Sequence, residues 1–310
     1  MKRIVYILFA AMLLLTGCVS AKPTKDSEKL NIVTTLFPTY DFARTIGGDK
    51  AEVTLLLTPG KESHSYEPST GDVIEIDSCD LLVYTGEYME PWIPGLVSGL
   101  DNSPAVLDAS EGIFLEAEEE HEHDHGDHNR SDHDHEVDPH IWTSPKNCVQ
   151  IVDNLLNVMT ELDGENADYY RSNAETLKAE LLALDKEFRD IVTNGSTKKI
   201  YHGGRFSMYY FIKEYGLDYE AAYDSCSSDT EPSVRRICDM IDEMREDNMA
   251  VVFYEELSNN SVARLIADET GAQPLLLHSC HNLSQQEWNE GETYLSLMRE
   301  NAINLREALK

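Results

Sequence analysis

Both halves of this chain carry the same alternation, and no other feature narrows its fold so far. In the first half "LNIVTTLF", "AEVTLLLT", "LLVYTG" and "PAVLDA" are short apolar runs rich in leucine and β-branched residues, with helical stretches such as "TGDVIEIDSCD" between them. In the second half "KKIYH", "LDYEAAY", "AVVFYEE" and "QPLLLH" alternate with "RFSMYYFIKEYG", "SVRRICDMIDEMREDN" and "SNNSVARLIADETG", and a final helix is expected over residues 286–309. Ser258 is placed to cap one of these helices and Gly271 to end it. Strands apolar on both faces and separated by helices belong to parallel sheets covered on both sides. The pattern therefore predicts two α/β lobes, each a parallel sheet flanked by helices.

Between the halves, Tyr170, Ala174, Leu177, Leu181, Leu184, Phe188 and Ile191 step by four and three, which is one apolar stripe along one helix. A helix over residues 165–193 reaches about 43 Å at 1.5 Å per residue, enough to run along both lobes as a rigid connector. The chain accordingly divides into a leader (1–17), a polar tether (18–29), an N-terminal lobe (30–164), the connecting helix (165–193) and a C-terminal lobe (194–310). Two lobes on one connector enclose a cleft.

The leader explains where such a protein works. Lys2 and Arg3 precede an apolar run over residues 4–15, too short for a permanent membrane helix, which reads as an export signal. Its end, "LTGC", resembles the lipobox of bacterial lipoproteins, in which the cysteine, here Cys18, is acylated and becomes the first mature residue. The expected product is extracytoplasmic, lipid-anchored to the cell membrane and monomeric.

Formal charge is −32, and loss of Lys2 and Arg3 makes it two units more negative. A field of that sign repels nucleic acid and attracts cations. Part of it lies in "EEEHEHDHGDHNRSDHDHE", where His121, His123, His125, His128, His133 and His135 stand among carboxylates. Residues 116–136 hold a single apolar side chain, Ala117, so the segment cannot bury a core. Adjacent histidines on such a strand offer weak, interchangeable contacts, whereas selective binding needs ligands fixed by a scaffold. The segment is read as an accessory that collects or senses metal.

Ligands of open parallel sheets bind beyond the carboxyl ends of the strands. That rule selects His64 after "AEVTLLLT", His202 at the end of "KKIYH", Glu255 at the end of "AVVFYE" and His278 at the end of "QPLLLH". His140, in "DPHIWTSP", lies where the histidine-rich segment returns to ordered chain. Four histidines drawn from both lobes suit a tetrahedral zinc cage, whose formation would be coupled to closure of the cleft.

Four segments in order, "IVTTLFPTYDFARTIGGDKAEVTLLLTPGKESHSYEPS", "DLLVYTGEYMEPW", "DPHIWTSP" and "DGENADYYRSNAETLKAELLALDKEF", resemble the zinc and manganese solute-binding lipoproteins of bacterial ABC importers. The resemblance runs from about Leu30 to the C-terminus. It implies two lobes on one long helix, a metal ion held between them and delivery to a membrane permease, with His64 and His140 as ligands. For the third ligand the family places a histidine ten residues before the Tyr of "YGL"; counting back from Tyr215 gives Arg205, which cannot ligate a cation, with His202 three residues earlier. For the fourth it places a carboxylate seven residues after the helix-ending glycine; from Gly271 this is His278, a change that favours zinc over manganese. The expected ligand set is His64, His140, His202 and His278. His281 and Cys280 are fallback ligands, and Glu255 is a candidate for orienting a ligand histidine. The family also places the loop of Cys226 near the cleft, which raises a Cys226–Cys280 disulfide or two neighbouring free thiols as alternatives.

Other readings are a manganese-type binding protein, a surface metal buffer or adhesin relying on the acidic segment, and an extracytoplasmic zinc hydrolase. The hydrolase needs three ligands, a bound water and a base such as Glu255 or Glu256, and the chain has no HExxH helix. The sequence therefore favours a non-enzymatic zinc carrier.

Overall fold

The computed structural model describes residues 29–116, 137–223 and 231–310. Cys18, the six clustered histidines and Cys226 lie outside these residues.

The N-terminal sheet is built from β1 (Leu30–Thr34), β2 (Ala51–Leu55), β3 (Leu81–Tyr84) and β4 (Ala105–Asp108), all parallel, in the order β2-β1-β3-β4. The C-terminal sheet repeats this plan with β5 (Lys199–His202), β6 (Asp218–Ala221), β7 (Val251–Tyr254) and β8 (Gln273–Leu276), in the order β6-β5-β7-β8. Ile32, Val33, Leu81, Leu82 and Val83 are fully buried, as expected of strands covered on both faces. The crossovers are helices: α1 (Phe37–Gly47), α2 (Thr70–Ser78) and α3 (Ile93–Val97) in the first lobe. A reciprocal cap between Ser69 and Asp72 starts α2.

Two antiparallel helices follow, α4 (Pro145–Leu162) and the connector α5 (Ala167–Asn194), joined by a turn at Gly164–Asn166. Within the N-terminal lobe no element is assigned to residues 145–162 on sequence grounds, although their apolar residues recur at helical spacing. Ser144 caps α4 by accepting from the Asn147 amide, and Ile151, Val152, Leu155 and Met159 form its buried face. Every residue of the expected connector stripe is buried, from Tyr170 to Ile191. Its 28 residues span about 42 Å.

The second lobe adds α6 (Tyr209–Tyr215), α7 (Val234–Glu246), α8 (Ser261–Thr270), α9 (Gln285–Glu290) and α10 (Tyr294–Ala308). Gly271 ends α8 in the left-handed region (φ 78°). Ser258 does not cap that helix: Asn260 occupies the position, and the Ser258 hydroxyl instead accepts from the Asn260 amide. The single final helix expected over residues 286–309 is two, because Gly291 at φ 75° turns the chain and Thr293 starts α10 with a fresh cap.

One apolar cluster runs through both lobes, taking in Phe42 and Ile46 of α1, Leu181 and Leu184 of α5, Phe211 of α6 and Leu305 of α10. Among the described residues no helix is long and apolar enough to cross a membrane.

Candidate metal centre

The loops that leave β2 and β8, and the segment leading into α4, bring three imidazoles together. The ligand-capable nitrogens of His64, His140 and His281 all lie within 4.8 Å of one another. Ring centroids are separated by 4.5 Å (His140–His281), 5.3 Å (His64–His140) and 5.4 Å (His64–His281), each pair edge to face.

His140 is fully buried, and its orientation is set by Asp138. One Asp138 oxygen accepts from both the His140 backbone amide (2.7 Å) and Nδ1 (2.9 Å). A carboxylate only accepts, so Nδ1 carries the proton and the lone pair sits on Nε2. That nitrogen is 3.3 Å from His64 Nε2. Two nitrogens bound to one tetrahedral zinc, each at about 2.05 Å, are about 3.3 Å apart. The spacing thus fits a shared cation.

His281 is held in the same way through a hydroxyl. Its Nδ1 meets Ser279 Oγ at 2.6 Å, and Ser279 is bound to Glu256 by both its hydroxyl and its amide, the latter at 2.8 Å. Because the hydroxyl proton goes to the carboxylate, Ser279 accepts from His281 Nδ1–H, which leaves the lone pair on Nε2. His281 Nε2 is buried and has no hydrogen-bond partner among the described residues. An orphaned buried nitrogen aimed at two other imidazoles is what an ion would satisfy.

The surroundings disfavour the charged form of His64 and His281. Burial, then the His140 ring, push His64 down to about 4. Burial and the neighbouring rings hold His281 well below the usual imidazole range. Trp142 walls the site edge-on, 5.4 Å from the His140 ring and 5.0 Å from His281, and its Nε1–H donates to the Ser279 carbonyl at 2.8 Å. The loops are also tied to each other. Asn282 Nδ2 donates to the carbonyls of Thr58 (2.8 Å) and Lys61 (3.0 Å), and the Gly60 amide donates to Leu283 O (2.7 Å).

The other expected ligands stand elsewhere. His202 is buried with its ring against Phe206, and its Nδ1 accepts from the Gly204 amide at 3.2 Å; burial pushes it down to about 4. His278 lies behind the site, its Nδ1 accepting from the Cys280 amide (2.9 Å) and its ring between Glu256 and Glu287. Burial opposes its protonation, but those carboxylates outweigh burial and raise it above the ordinary imidazole value, while the His278 contact holds Glu287 down to about 2. Neither belongs to the three-imidazole group. Cys280 is buried and, among the described residues, a free thiol. Arg205 and Glu255 line the same cavity as His64 and His281.

Counting along the chain picks His278 because it misses a turn. Cys280 adopts φ 61°, left-handed backbone that a non-glycine residue rarely takes, and this reversal presents His281 to the cleft while His278 packs inward. The three-residue step from His278 to His281 in "HSCH" is the signal available in the sequence.

The family model described as zinc-uptake complex component A, periplasmic, matches residues 32–308. The high-affinity zinc uptake system protein ZnuA of Bacillus subtilis (strain 168) is 35% identical over 309 residues, covering 98% of this chain and 96% of that protein. The zinc-binding lipoprotein AdcA of Streptococcus pneumoniae is 31% identical over 310 residues, 99% of this chain but 61% of its own length. Among solved structures, the Zn(II)-bound ZnuA-like domain of Streptococcus pneumoniae AdcA superposes with a TM-score of 0.76 at 29% identity, covering 91% of this chain and 99% of that one. The laminin-binding protein Lmb of Streptococcus agalactiae, described as an adhesin with metal-transporting activity, gives a TM-score of 0.75 at 26% identity, covering 91% and 100%.

Proposed function

Because the chain belongs to the family of periplasmic A components of zinc-uptake complexes, we propose that it captures Zn(II) between its two lobes and passes it to the permease of an ABC importer. The observation that carries this reading is the trio His64, His140 and His281, with nitrogens at a spacing suited to one tetrahedral ion and one of them orphaned. Nitrogen donors favour zinc over manganese, which prefers carboxylate oxygen. Cargo bound this way is held rather than transformed, so the protein acts as a carrier. Its place is outside the cytoplasm, anchored through a lipid on Cys18, with residues 116–136 as an accessory collector.

Zinc titration of the purified chain tests this. One tight site is expected, kept when residues 117–136 are deleted and lost in the triple variant H64A/H140A/H281A. Loss of tight binding on deletion alone would move the site to the histidine-rich segment and make the protein a buffer.

A further inference from the structure

The segment that carries His140 is held from two sides, and one of them belongs to the other lobe. Asp138, whose Oδ1 accepts from both the amide and Nδ1 of His140, has its own backbone pinned twice: its amide donates to the Glu116 carbonyl at 3.0 Å, and its carbonyl accepts from the Tyr210 hydroxyl at 3.0 Å. The same hydroxyl accepts from the Glu116 amide at 3.0 Å. One phenol oxygen, used as donor and as acceptor, therefore clamps two stretches of the first lobe. Tyr210 comes from α6 in the second lobe, where its neighbour Phe211 is buried edge to face on Phe188 of the connector, with ring centroids 4.8 Å apart. Successive residues of a helix point about 100° apart, so the helix that packs on the connector through Phe211 turns Tyr210 toward Asp138.

A carboxylate holds an imidazole in one tautomer only while the carboxylate itself is held. The Asp138 side chain hangs from a backbone whose donor and acceptor are both taken, which confines its Oδ1. We infer that Tyr210 is a positioning residue of the metal site: through the Asp138 backbone it sets the carboxylate that keeps the proton on His140 Nδ1 and the lone pair on Nε2. This rests on the reading of His140 as a ligand and adds to it a support from the opposite lobe. Tyr209, adjacent on the same helix, is the natural contrast, because its buried hydroxyl has no hydrogen-bond partner among the described residues.

The full chain, first metal-free and then titrated with zinc against a competing chelator, supplies the test. Y210F keeps the packed ring and removes the clamping hydroxyl, whereas Y209F removes a hydroxyl that holds nothing. In metal-free Y210F, nitrogen-15 NMR of the imidazoles is expected to show His140 divided between its two tautomers, where the native chain has the Nδ1–H form alone, while the His281 ring stays as in the native protein. Zinc affinity should fall about tenfold, as it does when the binding-competent form drops to about a tenth of the population, and Y209F should bind as the native chain does. In a D138A background, Y210F should cost less than about twofold more, since residues that act through one another are not additive. A native His140 tautomer in Y210F, an unchanged zinc affinity, or a Y210F loss that adds in full to that of D138A overturns the inference. So does a Y210F chain that unfolds or perturbs all the imidazoles together, which is the mark of a general structural loss. Zinc binding by H140A at native strength sinks instead the reading of His140 as a ligand.

Discussion

The two halves of the proposed metal site differ in how they are built. On the N-terminal side, His140 is locked by a carboxylate two residues away in the same short segment, "DPH". On the C-terminal side, His281 is locked through Ser279 to Glu256, which comes from the loop after a different strand. The first arrangement is made within one three-residue segment, which is tied in turn to Glu116 and Tyr210 through the Asp138 backbone. The second depends on two loops meeting and on the left-handed turn at Cys280. A ligand supported by local contacts survives changes elsewhere; one supported at long range can change position in the sequence while the site keeps its place in space.

Removing a ligand from either half is the severest test of this contrast. H281A should lower zinc affinity by at least about a hundredfold, more than the 10–100-fold typical of a supporting residue, and H140A should do the same. Equal affinity of H281A and the native chain, measured by chelator competition, would put the C-terminal ligand elsewhere.

Cutting the long-range support comes next. S279A removes the acceptor that fixes the His281 tautomer, and zinc affinity should fall by about 10–100-fold. The thermal midpoint of the metal-free protein separates a lost support from a lost fold.

His278 sharpens the contrast from the other side, as a histidine that serves the scaffold three residues from the proposed ligand His281. H278Q should leave zinc affinity within about threefold but cost about 2 kcal/mol of stability, since the Cys280 amide and Glu287 lose their buried partner. The carboxylates favour its protonation, against the Cys280 amide, which needs the Nδ1 lone pair; the net shift is upward, so its contribution is present below the unfolded value near 6.5 and fades as pH rises through the higher folded value. Denaturant titrations across that window should show a slope in the native chain that H278Q lacks.

The smallest effect concerns acid. Free imidazoles near 6.5 would let protons displace zinc below that pH. His64 and His281 are held lower, His64 at about 4, so the metal-free site stays deprotonated further into acid. Competition at these two rings should set in well below pH 6.5, with little loss of affinity between about pH 7.5 and 6.5. A steep fall through 6.5 would mean that the rings are solvated in the metal-free protein.

The same distinction between local and long-range causes explains what was readable in the chain. The strand alternation and the stripe from Tyr170 to Ile191 are periodic, and both sheets and the connector follow from them. His64 and His140 sit in contiguous motifs, which is why the sequence singles them out. The helix at Pro145–Leu162 is legible too, since its buried residues Cys148, Ile151, Val152, Leu155 and Met159 recur at helical spacing, although no helix is assigned there on sequence grounds. His281 takes second place to His278 on sequence grounds because only backbone torsion at Cys280 decides which of the two faces the cleft. Gly291 breaks the last helix by a torsional preference that a search for apolar periodicity does not register.

The apolar cluster shared by both lobes has a consequence for access. With Phe42, Leu184 and Leu305 in one packed body, swinging the lobes apart would expose core, whereas the loop of His64 is tied to the second lobe by the bonds from Asn282 to Thr58 and Lys61 and from Gly60 to Leu283. Opening of that short loop would then be the less costly route to an ion held by His64. Competition for the carbonyls of Thr58 and Lys61 would loosen the loop without any change at the imidazoles themselves.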